Sequence, residues 1–144
     1  MNREILFRGK WIDNGEWVHG YLIGDDVIVG EIIEFEDEYF YCEFWWKVDP
    51  KTVGEFTGLC DKNGANIFEG DILKVDTEFE NSTIHRVIWG GSYPAFEIEP
   101  NPYDDCNGLQ YVAHVCENTT CQIIGNIHDN PDLLKGTNKK KNII

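Results

Sequence analysis

The chain has 144 residues, enough for one ordinary domain or two small β modules. Hydrophobic residues make up 42% of it and aromatic residues 13%, which argues against an intrinsically disordered protein. A formal net charge of −14, from 26 acidic and 12 basic side chains, argues against nucleic-acid binding through a broad basic surface.

The lack of a membrane-helix pattern and of a signal-peptide pattern, together with the cysteine count, predicts a cytoplasmic protein. No run approaches the roughly 20 apolar residues that a membrane helix needs, and the N-terminus carries no apolar signal-peptide region. An odd number of cysteines without a secretory signal favours reduced thiols over a disulfide framework. The five are Cys42, Cys60, Cys106, Cys116 and Cys121.

The first half of the chain predicts a β meander. Residues 4–23 form a hairpin around Asp13-Asn14-Gly15, because Asn and Gly tolerate positive φ, and a short strand follows at 27–29. Residues 31–50 then read EIIEFEDEYFYCEFWWKVDP, which mixes acids with aromatics, and strand alternation would place Glu34, Glu36 and Glu38 on one face. A helix stays open for residues 31–38, whereas the aromatics favour a strand over 39–48 that Asp49-Pro50 ends.

Residues 53–75 predict a strand, a tight reversal and a second strand. Asp61-Lys62-Asn63-Gly64 supplies the turn, since Gly64 can take positive φ and the Asp and Asn side chains can bind backbone amides. Glu69-Gly70-Asp71 forms a second turn before the strand at 72–75.

The last third predicts further short strands. One runs over 83–89, turns at Gly90-Gly91 in a two-residue hairpin and returns over 95–99, where Pro94 indicates an irregular start or a sheet edge. Residues 109–115 alternate as a strand, with a short helix left open, and 121–127 form the final strand. A helical turn opens near Pro131. The fold class is therefore mainly β, with little helix, and a small barrel or sandwich is favoured over alternating strands and helices.

Three stretches carry a family resemblance. They are Phe7-Arg8-Gly9-Lys10 with Gly15-Glu16-Trp17-Val18-His19-Gly20-Tyr21, then residues 57–64 (TGLCDKNG) with 67–72 (IFEGDI), and finally residues 124–134 (IGNIHDNPDLL). In this order they resemble the YopX-like proteins of phages and prophages. The resemblance implies a largely β protein with an SH3-like barrel, and it supplies no catalytic residues.

Together these observations divide the chain into three parts. Residues 1–50 form an N-terminal β meander with the acidic–aromatic segment, residues 51–134 form the SH3-like β-barrel that the resemblance implies, and residues 135–144 form a flexible basic tail. Five glycines are assigned to turns, bulges or close strand approach, namely Gly15, Gly58, Gly64, Gly70 and Gly125.

The acidic–aromatic segment is the main candidate for a binding site. No Lys or Arg occurs between Lys10 and Lys47, while ten acids fall there. One interpretation is a docking face for a basic protein with aromatic anchors, and the other is a solvated face that keeps the protein soluble. The residues of the docking interpretation are Glu34, Glu36, Asp37, Glu38, Tyr39, Tyr41, Trp45 and Trp46.

Metal and catalytic interpretations are weaker. His114 and Cys116 would share one strand face, with Cys106 and Cys121 nearby in sequence, but the paired short spacings of structural zinc sites are missing. The acidic neighbour Asp61 gives Cys60 none of the positive charge that activates a cysteine nucleophile. No nucleophile-elbow, P-loop or zinc-protease motif occurs. We therefore expect no metal, no cofactor and no enzymatic activity.

The sequence thus predicts a phage or prophage accessory protein that binds a macromolecule. We expect a host or phage protein with a basic surface as the partner, with no nucleic acid and no membrane. The alternatives are a self-assembling structural subunit, for which a homo-oligomer is possible, and a small-barrel enzyme.

Overall fold

The structure is a computed structural model that describes residues 5–30, 32–42, 44–76, 81–102, 108–113 and 120–135. The chain divides into two compact units, residues 1–56 and residues 57–144. Strands make up most of the described chain, so the prediction of a mainly β protein is confirmed.

The first unit contains β1 (Phe7–Trp11), β2 (Trp17–Ile23), β3 (Val27–Val29) and the start of β6 (Trp45–Cys60). All four pair antiparallel in a closed cycle, because β1 pairs with β2, β2 with β3, β3 with β6, and β6 again with β1. Ile28 and Val48 are buried at its core. Gly9 lies against both, since a Cβ there would come within 3.2 Å of their side chains.

The prediction that Asp49-Pro50 ends a strand is wrong, because β6 runs through both residues. The register against β1 shifts at this point: Arg8 pairs with Gly54 but Lys10 pairs with Asp49. The irregularity places the proline outside the regular ladder, where its missing N–H costs no hydrogen bond. The Thr52 hydroxyl bridges the gap, donating to Asp49 O at 2.6 Å and accepting from Lys10 N–H at 2.9 Å.

Between β3 and β6 lie two further strands, β4 (Ile32–Phe35) and β5 (Phe40–Cys42), which pair antiparallel with each other. The helix left open for residues 31–38 is therefore not formed over the described residues 32–38. Aromatic and β-branched residues favour the extended conformation that the structure shows.

The second unit contains β7 (Asn66–Phe68), β8 (Asp71–Val75), β9 (Thr83–Trp89), β10 (Phe96–Glu99) and β11 (Cys121–Asn126). Four of these strands form an antiparallel sheet in the order β10-β9-β8-β11, with β10 at an edge, while β7 lies beside β6. A buried cluster fills the core of the unit. It consists of Ile67, Leu73, Val75, Val87, Ile98, Leu109, Val112, Ala113 and Cys121.

Two predictions in the second unit are wrong. The strand expected over residues 109–115 is a short helix, α1 (Gly108–Val112), that buries Leu109 and Val112. Apolar residues three apart share a helix face, so the spacing of the apolar residues in this segment fits the helical period of 3.6 as well as the strand period of two. Instead of a two-residue turn at Gly90-Gly91, residues 90–95 form a longer loop, with Gly90 N–H bonded to Ala95 O at 2.9 Å. Residues 132–135 form the expected helical turn.

No helix within the described ranges is long and apolar enough to cross a membrane.

Candidate functional site

The acidic–aromatic segment forms a two-stranded ribbon that continues the β3–β6 pair. Val29 pairs with Trp45, Gly30 N–H donates to Phe44 O at 3.0 Å, and Ile32 pairs with Cys42 in the same register. Among the described residues, β4 and β5 pair only with each other and form a two-stranded sheet of their own. We call residues 30–44 the β-arm.

The tip of the β-arm carries the predicted acids. Glu36 N–H donates to Tyr39 O at 2.8 Å and closes the turn, and Glu36, Asp37 and Glu38 are exposed. Glu34 lies in β4 opposite Tyr41, but its side chain is outside the described part of the chain. The predicted alternation of Glu34, Glu36 and Glu38 along one continuous strand is wrong, since the strand ends at Phe35.

Three of the four predicted aromatic anchors share one face of the ribbon. Side chains two residues apart on a strand point the same way, which places Tyr39, Tyr41 and Trp45 together. The two tyrosine rings make an edge-to-face contact with centroids 5.4 Å apart. All three side chains are largely in solvent, with exposed fractions of 56%, 53% and 62% respectively.

Trp46 lies on the opposite face, so the structure does not bring it together with the other anchors. Its ring stacks on Phe44 with an interplanar angle of 8°. It also covers Gly30, where a Cβ would lie 2.9 Å from the indole. Because these contacts hold the half-buried ring against the ribbon, Trp46 serves packing of the β-arm.

Sequence reasoning missed three exposed aromatics near these residues. Phe40 and Phe44 follow the opposite face of the ribbon, and both are exposed. Tyr21 is exposed on the neighbouring β2, where it pairs with Val29, the partner of Trp45. Extending the period-two count from Tyr39 through Trp46 would have identified the two phenylalanines.

The first unit also gathers cations, on the hairpin of β1 and β2. The Arg8 guanidinium lies 4.7 Å and the Lys10 ammonium 5.5 Å from the centre of the Trp17 ring. Burial, followed by the charge of Arg8, holds the pKa of His19 below its ordinary value of 6.5. These contacts give a structural role to residues of the first of the three family-like stretches, which we call the first, central and C-terminal motifs.

The central motif is a hydrogen-bonded turn. The buried Asp61 carboxylate accepts from Asn63 N–H at 2.9 Å and Ala65 N–H at 3.0 Å within the turn, and from Ile123 N–H of β11 at 3.0 Å. Three of the assigned glycines, Gly58, Gly64 and Gly70, adopt positive φ, as does Gly15 in the first hairpin.

The C-terminal motif forms a second such turn. Asn126 Oδ1 accepts from His128 N–H at 3.0 Å and Asp129 N–H at 2.9 Å, and Asn130 Oδ1 accepts from Asn126 N–H at 3.2 Å. Gly125 allows this approach, because a Cβ there would lie 2.5 Å from Asn130 Oδ1.

The remaining sequence candidates give no assembled chemical site. His114, Cys106 and Cys116 lie outside the described residues, and within the described ones no three potential ligands converge on a metal position. Cys121 is buried in the core, and its burial, together with the charge of Asp61, raises the pKa of its thiol to about 11. Cys42 and Cys60 are half-buried free thiols.

Comparison with known proteins gives a family and a fold. The family model described as YopX protein matches residues 6–135 of the chain. The crystal structure of protein EF1440 from Enterococcus faecalis is similar, with a TM-score of 0.62 and 23% sequence identity over 92% of this chain and 99% of that one. No curated protein sequence matches at a significant level.

Proposed function

We propose that this chain, which belongs to the YopX protein family, is a non-enzymatic module that docks a protein with a basic surface. The docking element is the β-arm with Trp45 at its base. The observation that carries the proposal is the combination of an exposed acidic tip and largely exposed aromatics on the two-stranded ribbon of β4 and β5. Neighbouring large apolar side chains that share one exposed face often mark a surface that a partner covers.

Charge supports a basic partner. The tip carries three consecutive acids, and the whole chain carries −14. Like charges packed this closely repel one another, and an oppositely charged surface relieves that cost. The long-range field of such a chain also steers cations toward it.

The test is affinity capture of proteins from a host lysate, followed by mass spectrometry. We expect the wild-type chain to retain basic proteins at low salt, and the double variant Tyr39→Ala, Tyr41→Ala to lose them. Tyr93→Ala is the matched control, because Tyr93 is also half exposed but belongs to the second unit and not to the β-arm. Equal capture by all three proteins would refute docking through the β-arm.

Self-assembly is the second candidate, favoured by the same exposed aromatics on both faces of the ribbon. The net charge of −14 on each copy opposes association of identical chains. Light scattering separates the two functions, since a monomer at high concentration excludes self-assembly.

We further propose, from the family resemblance alone, that the protein acts in the cytoplasm as a phage or prophage accessory protein. The same resemblance carries the proposal of SH3-like barrel topology for residues 51–134. A crystal structure would test the barrel topology, because the first and last strands of residues 51–134 should then pair with each other.

A further inference from the structure

The tyrosine pair on the β-arm presents aromatic ring surface to solvent. Tyr39 and Tyr41 meet edge to face, with an interplanar angle of 85°, so the ring that offers its edge has neither face covered by the other ring. Both side chains are more than half exposed. The Trp17 ring has two cations of the chain against it, whereas among the described residues no Lys or Arg lies over either tyrosine. The pair can therefore accept a cation from outside the chain.

Carboxylates lie next to this pair. Glu36 faces Tyr39 across the turn, where its N–H donates to Tyr39 O at 2.8 Å, and Asp37 and Glu38 complete the exposed tip. Within the described part of the chain, none of these three acids belongs to an ion pair. The negative charge and the tyrosine ring faces therefore favour the same occupant, a cationic side chain of the partner.

This arrangement suits arginine better than lysine. A guanidinium is planar and weakly hydrated, so it can stack on an aromatic face while the N–H groups at its rim donate to a carboxylate. An ammonium is a compact, strongly hydrated charge, and on an exposed surface it keeps much of its water. Ring faces with carboxylates beside them therefore give arginine two contacts at once.

We propose that Tyr39 and Tyr41 bind an arginine side chain of the partner, with its guanidinium against a tyrosine ring and within reach of the tip carboxylates. This inference rests on the proposed function, because it specifies which residue type of the basic partner the β-arm recognises.

The probe is a flexible, capped peptide of arginine, glycine and serine. A lysine version carries the same charge, and a citrulline version keeps the shape of arginine without its charge. We expect the arginine peptide to bind about threefold or more tightly than the lysine peptide, and the citrulline peptide to bind most weakly. Affinity is measured by NMR titration of labelled tyrosine rings, and the signals of Tyr39 and Tyr41 should shift with the arginine peptide.

Two double variants test whether the rings are the source of this preference. Tyr39→Leu, Tyr41→Leu removes the π faces but keeps apolar side chains, so it should bind the arginine and lysine peptides equally. Tyr39→Phe, Tyr41→Phe keeps the π faces and should retain the preference. Tyr93→Leu, in the second unit, should bind both peptides as the wild type does. Circular dichroism of each variant verifies that it is folded.

Three results would overturn arginine recognition. The first is equal affinity of the wild type for the arginine and lysine peptides. The second is an arginine preference that survives in the leucine variant, because the rings would then not be its source. The third is a shift of the tyrosine signals with protein concentration alone, which would mean that a second copy of the chain covers the rings.

Lysate capture separates this inference from the proposed function. Equal binding of the arginine and lysine peptides, with basic proteins still captured through the β-arm, overturns arginine recognition and retains docking of a basic partner. Absence of peptide binding also overturns arginine recognition, and the proposed function fails with it only where capture fails as well.

Discussion

The Asp61 carboxylate shows how a single residue can account for a family motif. It is 5% exposed and accepts three backbone N–H groups, two within the turn and one from β11. A buried carboxylate is stable when hydrogen bonds replace its lost water, and this one has them. The Asp in TGLCDKNG thus has a structural role in the turn.

Gly64 in the same turn gives a prediction about stability. Its φ is +80° and no atom lies within 4 Å of where a Cβ would be, so a substitution meets backbone strain but no clash. We expect Gly64→Val to lower the free energy of unfolding by about 1 kcal/mol or more. Urea denaturation measures the change.

Asparagine provides the control for that prediction, because it tolerates positive φ better than other non-glycine residues. Gly64→Asn should therefore cost clearly less than Gly64→Val. Equal stability of the wild type and the valine variant would mean that the turn does not hold this conformation.

At the scale of elements, local turn chemistry could be predicted and long-range register could not. The turns around Gly15 and Gly64 follow from Asn, Asp and Gly, whose preferences act over a few residues. Pro50 was misjudged because its cost depends on the shift of the β1 register, set by residues about forty positions away. The prediction of a strand over residues 109–115 was wrong because the apolar spacing there fits both the strand and the helix period. The structure has a helix that buries Leu109 and Val112.

The candidate site was predictable in composition but not in arrangement. The presence of acids and aromatics in this region could be predicted from the amino-acid sequence of residues 31–50. The bulge between Ile32 and Glu34, and the turn that separates Glu34 from Glu36, depend on strand pairing. This is why one strand face was expected where the structure has two strands and a tip.

The tip also yields a prediction about folding. The triple variant Glu36→Gln, Asp37→Asn, Glu38→Gln removes three exposed charges from a turn. Surface changes of this kind usually alter stability by about 0.5 kcal/mol or less each, and relief of repulsion acts in the favourable direction. We expect a melting temperature at or slightly above that of the wild type. A variant that fails to fold would show that the acids have a structural role.

At the scale of the whole molecule, the three family motifs map onto turns and packing contacts. The central and C-terminal motifs build the hydrogen-bonded turns around Asp61 and Asn126, and the first places the Arg8 and Lys10 cations beside the Trp17 ring. The β-arm lies between the first and second motifs. Under the proposed function, the residues that build the fold motifs and the residues that contact the partner therefore lie in different segments of the chain.

The most direct test of this account is the affinity of the purified chain for its captured partner at two salt concentrations. Between about 50 mM and about 300 mM salt, screening should weaken wild-type binding by about tenfold or more. The triple tip variant should bind more weakly at low salt and respond less to added salt. A wild-type dissociation constant that is the same at both salt concentrations, or a tip variant that binds as the wild type does, would contradict docking through the acidic tip.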